Sequence, residues 1–82
     1  MKDSIIYAGQ NLKIIFIDYT EKDGSNEGLR EVEPYSFRIK GGIEIFFAHD
    51  LNKGAIRGGI ISSINDIKIT ENMYSPRWKV EF

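Results

Sequence analysis

Residues 29–50 read LREVEPYSFRIKGGIEIFFAHD and hold two strand-like runs on either side of a glycine pair. Gly41-Gly42 predicts a two-residue hairpin turn, because both central positions of a primed turn require positive φ. Leu29–Lys40 is therefore predicted as one strand and Ile43–Asp50 as the next. Pro34 cannot donate to a sheet ladder, so it marks an edge or a bulge within the first of these strands.

Further strands are predicted on both sides of this hairpin. Leu12–Thr20 is apolar at alternate positions on both of its faces, which predicts a strand that is buried on both sides or that lies in a small barrel covered at one end. The polar, glycine-bearing stretch Glu21–Gly28 predicts the turn that joins it to the hairpin. After a turn at Asn52–Gly54, two more strands are predicted at Ala55–Ile61 and Asp66–Thr70, separated by a turn or a single helical turn.

Both ends of the chain are predicted to pack onto this sheet. Asp3 or Ser4 is expected to cap a short helix that Gly9 ends. Glu71–Phe82 is too apolar for a free tail, so it is expected to cross the barrel or add a last strand. Five short strands with frequent turns predict an all-β domain over residues 1–82, built as a strongly bent sheet or partly open barrel.

The composition agrees with one small β-domain and excludes several classes of protein. Fourteen of 82 residues are isoleucine against three alanines and three leucines, a bias that disfavours long helices. There is no cysteine, so disulfides and thiolate metal sites are excluded, and a reducing, cytoplasmic setting is expected. No stretch is apolar enough for a membrane helix. The net charge of −1 argues against strong, general binding of polyanions.

Three motifs occur in an order that is typical of one domain family. Ile15–Tyr19 is a tyrosine-ended strand followed by a polar hairpin, and Arg30–Tyr35 reads REVEPY. Phe46–Leu51 is an aromatic strand that enters a turn before Ile56-Arg57. With these motifs, residues 15–76 resemble the WYL domain, a small Sm/SH3-like β-barrel. The resemblance implies a five-stranded Sm/SH3-like barrel with a short N-terminal helix and a packed C-terminal segment.

The resemblance also implies a function. WYL domains act as sensing modules in transcription regulators and in defence-associated proteins, and they bind nucleotides or single-stranded nucleic acid on a patch of arginine and aromatic side chains. This sequence departs from the family pattern at three places. The Trp-Tyr-Leu triad falls on residues 44–46, which read EIF. The family's Arg-Thr-Phe is Arg57-Gly58-Gly59, and its second arginine is Ser63.

Arg57 is the first candidate for ligand contact. A guanidinium is a rigid fork that holds a phosphate through two hydrogen bonds or stacks on a base. The missing side chains at Gly58 and Gly59 are expected to let a ligand approach the backbone. The alternative is a surface arginine paired with Glu44 or Asp50 on the neighbouring strand.

Candidates with aromatic rings lie on the other predicted strands. His49, at the family's strand-end tyrosine position, could stack on a base or donate to a phosphate; alternatively it is a hydrogen-bonded structural histidine. Tyr35 is expected to stack or hydrogen-bond with the ligand, and with Tyr19 and Phe37 it could form a stacking platform. The alternative for these rings is core or cross-strand packing.

Three further cations are expected to add positive potential to the site. Arg30 belongs to the best-matched motif and could instead bridge strands with an acidic residue such as Asp18. Arg38 and Lys40 alternate along the second strand and could extend a basic stripe or form a solvated face. Trp78 is either an interface anchor or the cover of the open end of the barrel.

These residues predict a non-catalytic regulatory module that binds single-stranded nucleic acid or a nucleotide weakly and in a salt-sensitive way, without a cofactor or metal. A lone histidine cannot build a zinc site, and no acid–base pair marks an active site. The alternative is a protein–protein interaction module, such as an accessory or inhibitor protein of a larger nucleic-acid machine. An apolar patch around Tyr74 and Trp78 would favour a protein partner, and an unpaired edge strand is consistent with a homo-oligomer.

Overall fold

The computed structural model describes all of residues 1–82. In chain order its elements are α1 (Lys2–Gln10), β1 (Lys13–Tyr19), β2 (Leu29–Lys40), β3 (Ile43–Asp50), β4 (Ala55–Ile60), a 3₁₀ turn (Ile61–Ser63) and β5 (Ile64–Met73). Strands dominate, which confirms the all-β prediction. No helix is long and apolar enough to cross a membrane.

The five strands form one antiparallel sheet in the order β4-β3-β2-β1-β5. The two edge strands, β4 and β5, are consecutive in the chain and are joined by the 3₁₀ turn. The Tyr19 hydroxyl, at the end of β1, accepts a hydrogen bond from the backbone N–H of Ile60 in β4 at 3.0 Å. A side chain thus links β1 to β4 across the concave side of the sheet. The architecture is the predicted five-stranded, barrel-like fold.

The β2–β3 hairpin forms as the glycine pair predicts. Gly41 and Gly42 have φ values of 56° and 78°, so both occupy the left-handed region that a primed turn needs. The strands pair from Lys40–Ile43 at the turn to Val32–Asp50 at the far end. This register fixes which side chains of β2 and β3 share a face.

Pro34 marks a bulge and not an edge, because β2 lies between β1 and β3. Pro34 pairs with Ala48 while Ser36 pairs with Phe47, which leaves Tyr35 as the extra residue. One extra residue reverses the alternation of side chains along the strand. The bulge therefore assigns the two halves of β2 to opposite faces of the sheet.

The inner face of the sheet carries the hydrophobic core. Helix α1 contributes Ile5 and Ala8, both fully buried. The remaining members of the core come from the strands: Ile15, Ile17, Val32, Phe46, Ala48 and Ile64. Because Arg30 and Val32 precede the bulge, they lie on this inner face. Arg38 and Lys40 follow it and lie on the other, outer face.

Several predicted boundaries were wrong. The helix begins at Lys2 with Met1 as its N-cap and no side-chain capping bond, so neither Asp3 nor Ser4 caps it. It also continues through Gly9, where the missing Cβ leaves room for the Phe82 ring.

The ends of three strands also differ from the prediction. β1 begins at Lys13, one residue later than predicted, because Leu12 has a φ of 54°. β4 ends at Ile60 because a 3₁₀ turn starts at the next residue. β5 is longer than Asp66–Thr70, because it pairs with β1 from Ile64 to Met73.

The C-terminal segment, residues 74–82, packs on the sheet as predicted. The Tyr74 hydroxyl donates to the carbonyl oxygen of Pro34. The backbone N–H of Glu81 donates to the carbonyl of Tyr35 at 2.7 Å, next to a parallel bridge between Glu81 and Ser36. The segment thus satisfies backbone groups at the bulge of β2 and covers the side chains around it.

Candidate ligand-binding site

The structure divides the predicted site residues between two faces of the sheet. Arg30 and Arg57 lie on the inner face, because Arg30 pairs with Ile17 and Arg57 with Ala48. We call their surroundings the arginine cleft, defined by Tyr19, Arg30, Asp50, Arg57, Gly58 and Gly59. A small cavity of about 40 Å³ opens there. A water molecule needs roughly 10–15 Å³ of such space, so the cavity has room for a few waters and is too small for a nucleobase.

Arg30 is the most buried cation of the cleft, with its side chain 7% exposed. Its Nη1 lies 2.9 Å from Asp50 Oδ2, and its Nη2 lies 2.6 Å from Glu27 Oε2 and 3.8 Å from Glu21 Oε1. Arg30 does bridge strands through an acidic residue, but that residue is Asp50 on β3. The expectation of Asp18 was wrong, since Asp18 accepts hydrogen bonds from Asn26 and Asn65.

Asp50 joins the two arginines and also fixes the turn after β3. Its Oδ1 accepts hydrogen bonds from the backbone N–H groups of Asn52 and Lys53 at 2.8 and 3.1 Å. Its Oδ2 receives Arg30 and lies 3.9 Å from Nη1 of Arg57. The carboxylate is thereby held in one orientation at the floor of the cleft.

Arg57 is the exposed cation of the cleft, with 37% of its side chain accessible. Its Nη2 donates to Glu21 Oε1 at 3.2 Å. Of the two predicted ion-pair partners, Asp50 is present, whereas Glu44 pairs with Lys2 at 2.8 Å. Arg57 is therefore held loosely by carboxylates and still reaches solvent.

The cleft is electrically balanced and is not a basic patch. Arg30, Arg57 and Lys53 supply three positive charges, and Glu21, Glu27 and Asp50 supply three negative ones. Glu21 and Glu27 both come from the β1–β2 loop, residues 20–28. An anionic ligand must therefore displace loop carboxylates from the arginines.

Aromatic rings pack against the backbone of the two glycines of β4, Gly58 and Gly59. A Cβ on Gly59 would lie 2.9 Å from the Tyr19 ring, and one on Gly58 would lie 2.8 Å from the Phe47 ring. The sequence predicts open space for a ligand at this backbone; the two rings narrow that space, and the small cavity of the arginine cleft remains beside Gly58 and Gly59.

Tyr35 and His49 do not reach the arginine cleft. Tyr35, at the bulge, is fully buried; its hydroxyl donates to Glu33 Oε1 at 3.2 Å and accepts from the Arg77 backbone N–H at 2.8 Å. Burial raises the pKa of this phenol. His49 is 9% exposed, its Nδ1 has no hydrogen-bond partner, and its ring centroid lies 6.2 Å from that of Trp78.

The three rings of the expected stacking platform are not brought together. Tyr19 lines the arginine cleft, and Phe37 packs on the core against the rings of Phe46 and Phe82. Tyr35 is covered by Trp78. These rings therefore serve cross-strand and core packing.

Arg38 and Lys40 contribute to a second concavity, which we call the outer groove. Its volume is about 340 Å³. It is lined by Ser36, Arg38, Lys40, Phe47, Ile56, Trp78 and Glu81. Arg38 Nη2 lies 2.7 Å from Glu81 Oε2, and Lys40 Nζ lies 5.6 Å from the centroid of the Phe47 ring.

Trp78 lines the outer groove, where its indole covers Tyr35. Its ring stacks on Tyr35 with centroids 3.9 Å apart and an angle of 19° between the planes. The indole remains 38% exposed. Its role as an interface anchor stays a prediction.

Sequence reasoning missed the ion pair that holds the C-terminal segment in place. Arg77 Nε lies 3.0 Å from Oε1 of Glu33, whose side chain is 5% exposed. The two residues are 44 positions apart, and no local pattern links them. Nowhere in the chain do three or more histidine, aspartate or glutamate side chains gather as metal ligands would.

The fold and the cleft define a small SH3-like barrel domain in which two arginines, Arg30 and Arg57, line a cleft beside the hydrophobic core. No family model matches the sequence, and no curated protein matches it. Among solved structures, the chain is similar to proteasome accessory factor B/C (PafBC) of Arthrobacter aurescens, with a TM-score of 0.83 and 24% identity. The match covers 93% of this chain and 12% of PafBC. At this identity the likeness establishes the fold.

Proposed function

We propose that this chain is a non-catalytic, WYL-like regulatory module of the cytoplasm that binds single-stranded nucleic acid or a nucleotide at the arginine cleft. The motifs at Ile15–Tyr19, Arg30–Tyr35 and Phe46–Leu51 that resemble the WYL domain, together with the fold shared with the accessory factor PafBC over 93% of this chain, support a regulatory module. The ligand is argued from the cleft itself.

One observation carries the choice of site. Arg30 and Arg57 both pair with Asp50, and Nη2 of Arg57 is held only by Oε1 of Glu21 at 3.2 Å, whose side chain is 33% exposed. A phosphate can take the place of this carboxylate, because guanidinium binds both in the same bidentate geometry. The ligand lies at the mouth of the cleft, since the cavity of about 40 Å³ is too small for a base.

The affinity is expected to be modest. The cleft offers two arginines that already have carboxylate partners, and the chain has a net charge of −1. Binding through few phosphate contacts is weak and falls with rising salt, because counterion release drives it.

Fluorescence anisotropy with labelled dT10 and rU10, at low and at physiological salt, tests the proposal. ATP added as a competitor tests the nucleotide form of the ligand. Arg57→Ala is expected to abolish most of the binding, whereas Lys68→Ala, which removes the same charge from exposed strand β5, is expected to leave it within about twofold. Absence of binding at low salt, or equal loss in both variants, would overturn the proposal.

The second candidate is a protein–protein interaction module. The observation that favours it is the exposed apolar surface of the outer groove, where Ile56 is 56% and Trp78 is 38% exposed. The groove lies on the opposite face of the sheet from the arginine cleft, so the two candidates are tested separately.

A further inference from the structure

The outer groove, on the opposite face of the sheet from the arginine cleft, combines an apolar surface with one cation, Lys40, that has no carboxylate partner. Phe47, Ile56 and Trp78 supply apolar walls around a volume of about 340 Å³. Sites of roughly 300–1,000 Å³ with mostly apolar walls and a few polar groups are typical of specific binding sites. Four of the seven lining residues are polar or charged, so the groove has the volume of such a site with a mixed lining, its apolar surface lying at Phe47, Ile56 and Trp78.

Trp78 is fixed in position before any partner arrives. One face of the indole stacks on Tyr35 at 3.9 Å, and Tyr35 is itself held by Glu33 and by the Arg77 backbone N–H. Little side-chain entropy is therefore lost when a partner packs against this ring. Tryptophan and arginine in such positions are the residues that most often dominate binding energy at protein interfaces.

The charges of the groove separate a protein partner from a nucleic acid. Arg38 is neutralised by Glu81 at 2.7 Å, whereas Lys40 has no carboxylate within 4.0 Å and rests over the Phe47 ring. A polynucleotide needs a track of several free cations. A single free ammonium beside an apolar wall matches a single carboxylate next to a hydrophobic side chain.

We propose that the outer groove binds a short segment of a partner protein in which a bulky apolar side chain lies one or two residues from an aspartate or glutamate. The apolar side chain packs between Ile56 and Trp78 over Phe47, and the carboxylate pairs with Lys40. This inference is independent of Arg57 and of any nucleic-acid binding.

Selection from a random dodecapeptide display library on the immobilised full chain tests this. The expected consensus pairs an acidic residue with a bulky apolar one at that spacing. A synthetic peptide of the consensus is then titrated while the fluorescence of Trp78 is followed, since the chain has one tryptophan and it lines the groove.

Charge reversal identifies the contact. Lys40→Glu is expected to weaken the peptide about tenfold or more, with a smaller loss in Lys40→Gln, because the carboxylate then meets a like or absent charge. Lys68→Glu carries the same charge change on exposed β5 and is expected to leave the Kd within about twofold. Thermal unfolding of each variant checks that it is folded.

Five outcomes overturn the proposal. Four of them are the absence of an enriched consensus, a consensus without an acidic residue, a peptide that Lys40→Glu does not weaken, and a Trp78 signal that responds to dT10 in a Lys40-dependent way. Self-association that Lys40→Glu abolishes would assign the groove to a second copy of the chain and would also overturn it. A failure of Arg57-dependent nucleic-acid binding leaves this proposal unaffected.

Discussion

The guanidinium Nη1 of Arg30 lies 2.9 Å from Oδ2 of Asp50, and the two side chains are only 7% and 2% exposed. The pair links the start of β2 to the end of β3 on the inner face of the sheet. Since Asp50 also accepts two backbone N–H groups of the following turn, the pair joins strand, turn and cleft into one unit. Its removal is therefore expected to affect stability before it affects any ligand.

Asp50→Ala is expected to destabilise the fold by about 3 kcal/mol, because it removes the one buried carboxylate that pairs with the Arg30 guanidinium and leaves it the more exposed Glu27. The loss of two turn hydrogen bonds acts in the same direction. Urea denaturation followed by circular dichroism measures the change. Asp66→Ala removes an exposed aspartate from β5 and is expected to change the free energy of unfolding by less than about 0.5 kcal/mol. Equal effects in the two variants would contradict the assigned role of Asp50.

Neutralising the β1–β2 loop is expected to strengthen anion binding at the arginine cleft. Glu21→Gln with Glu27→Gln removes the two carboxylates that compete for Arg30 and Arg57. Partly exposed ion pairs are each worth about 0.2–1 kcal/mol, so affinity for dT10 should rise between about twofold and about thirtyfold.

Anisotropy at low salt measures this gain in affinity. Asp66→Asn with Glu71→Gln makes the same change in net charge on the exposed positions of β5, away from the β1–β2 loop, and serves as the control. A gain of the same size in the control would show that net charge, and not competition for the two arginines, limits the affinity, and it would contradict the prediction.

Side chains added to the glycines of β4 are expected to force the neighbouring rings to move. Gly59→Ala places a Cβ 2.9 Å from the Tyr19 ring, and Gly58→Ala places one 2.8 Å from the Phe47 ring. Overpacking of this kind costs typically about 1–3 kcal/mol. Chemical denaturation of each variant, with Ile56→Val on the same strand as the control, measures it. Unchanged stability would show that the Tyr19 and Phe47 rings move without an energetic cost and would contradict the prediction.

Stability is expected to fall in alkali because of the buried tyrosines. Burial raises the pKa of Tyr74 and of Tyr35 above the value of 10.0 that an exposed phenol has. A phenol whose pKa is higher in the folded state stabilises the fold below pH 10.0, and this contribution is lost as the pH rises above it.

Tyr74→Phe separates the titration of Tyr74 from its hydrogen bond. The variant loses the bond to the Pro34 carbonyl, at about 1 kcal/mol near neutral pH, and shows a shallower loss of stability in alkali. Urea midpoints at neutral pH and above pH 10 measure both effects. Parallel pH profiles for the two proteins would contradict the assignment to Tyr74.

Much of the strand layout follows from local sequence. Gly41-Gly42 fixed the β2–β3 hairpin because few residues other than glycine adopt positive φ at both positions of a turn. The bounds of β2 and β3 agree with the alternation and turn signals. The boundaries at α1 and β5 failed, since the Phe82 ring over Gly9 and the length of β1 decide them, and neither is local in sequence.

The candidate site was less predictable because one residue reverses the faces of β2. Without the bulge at Tyr35, strict alternation would have put Arg30, Arg38 and Lys40 on one face. The extra residue sends Arg38 and Lys40 to the outer groove and leaves Arg30 beside Arg57. Pro34 indicates a bulge in the sequence. The face of the sheet on which each cation lies depends on the residue at which β2 pairs with β3 again after the bulge, and the sequence does not give that residue.

By itself the sequence determined a small all-β domain, the glycine turns and the set of cations available for binding, because these depend on backbone sterics and residue chemistry over short distances. The tertiary structure alone decided how those cations are used. In the folded chain, carboxylates of the β1–β2 loop and of Asp50 on β3 pair with Arg30 and Arg57. Trp78 stacks on Tyr35, which is 43 positions away in the chain. Ion pairs and ring stacking depend on distances in space, which only the folded chain defines.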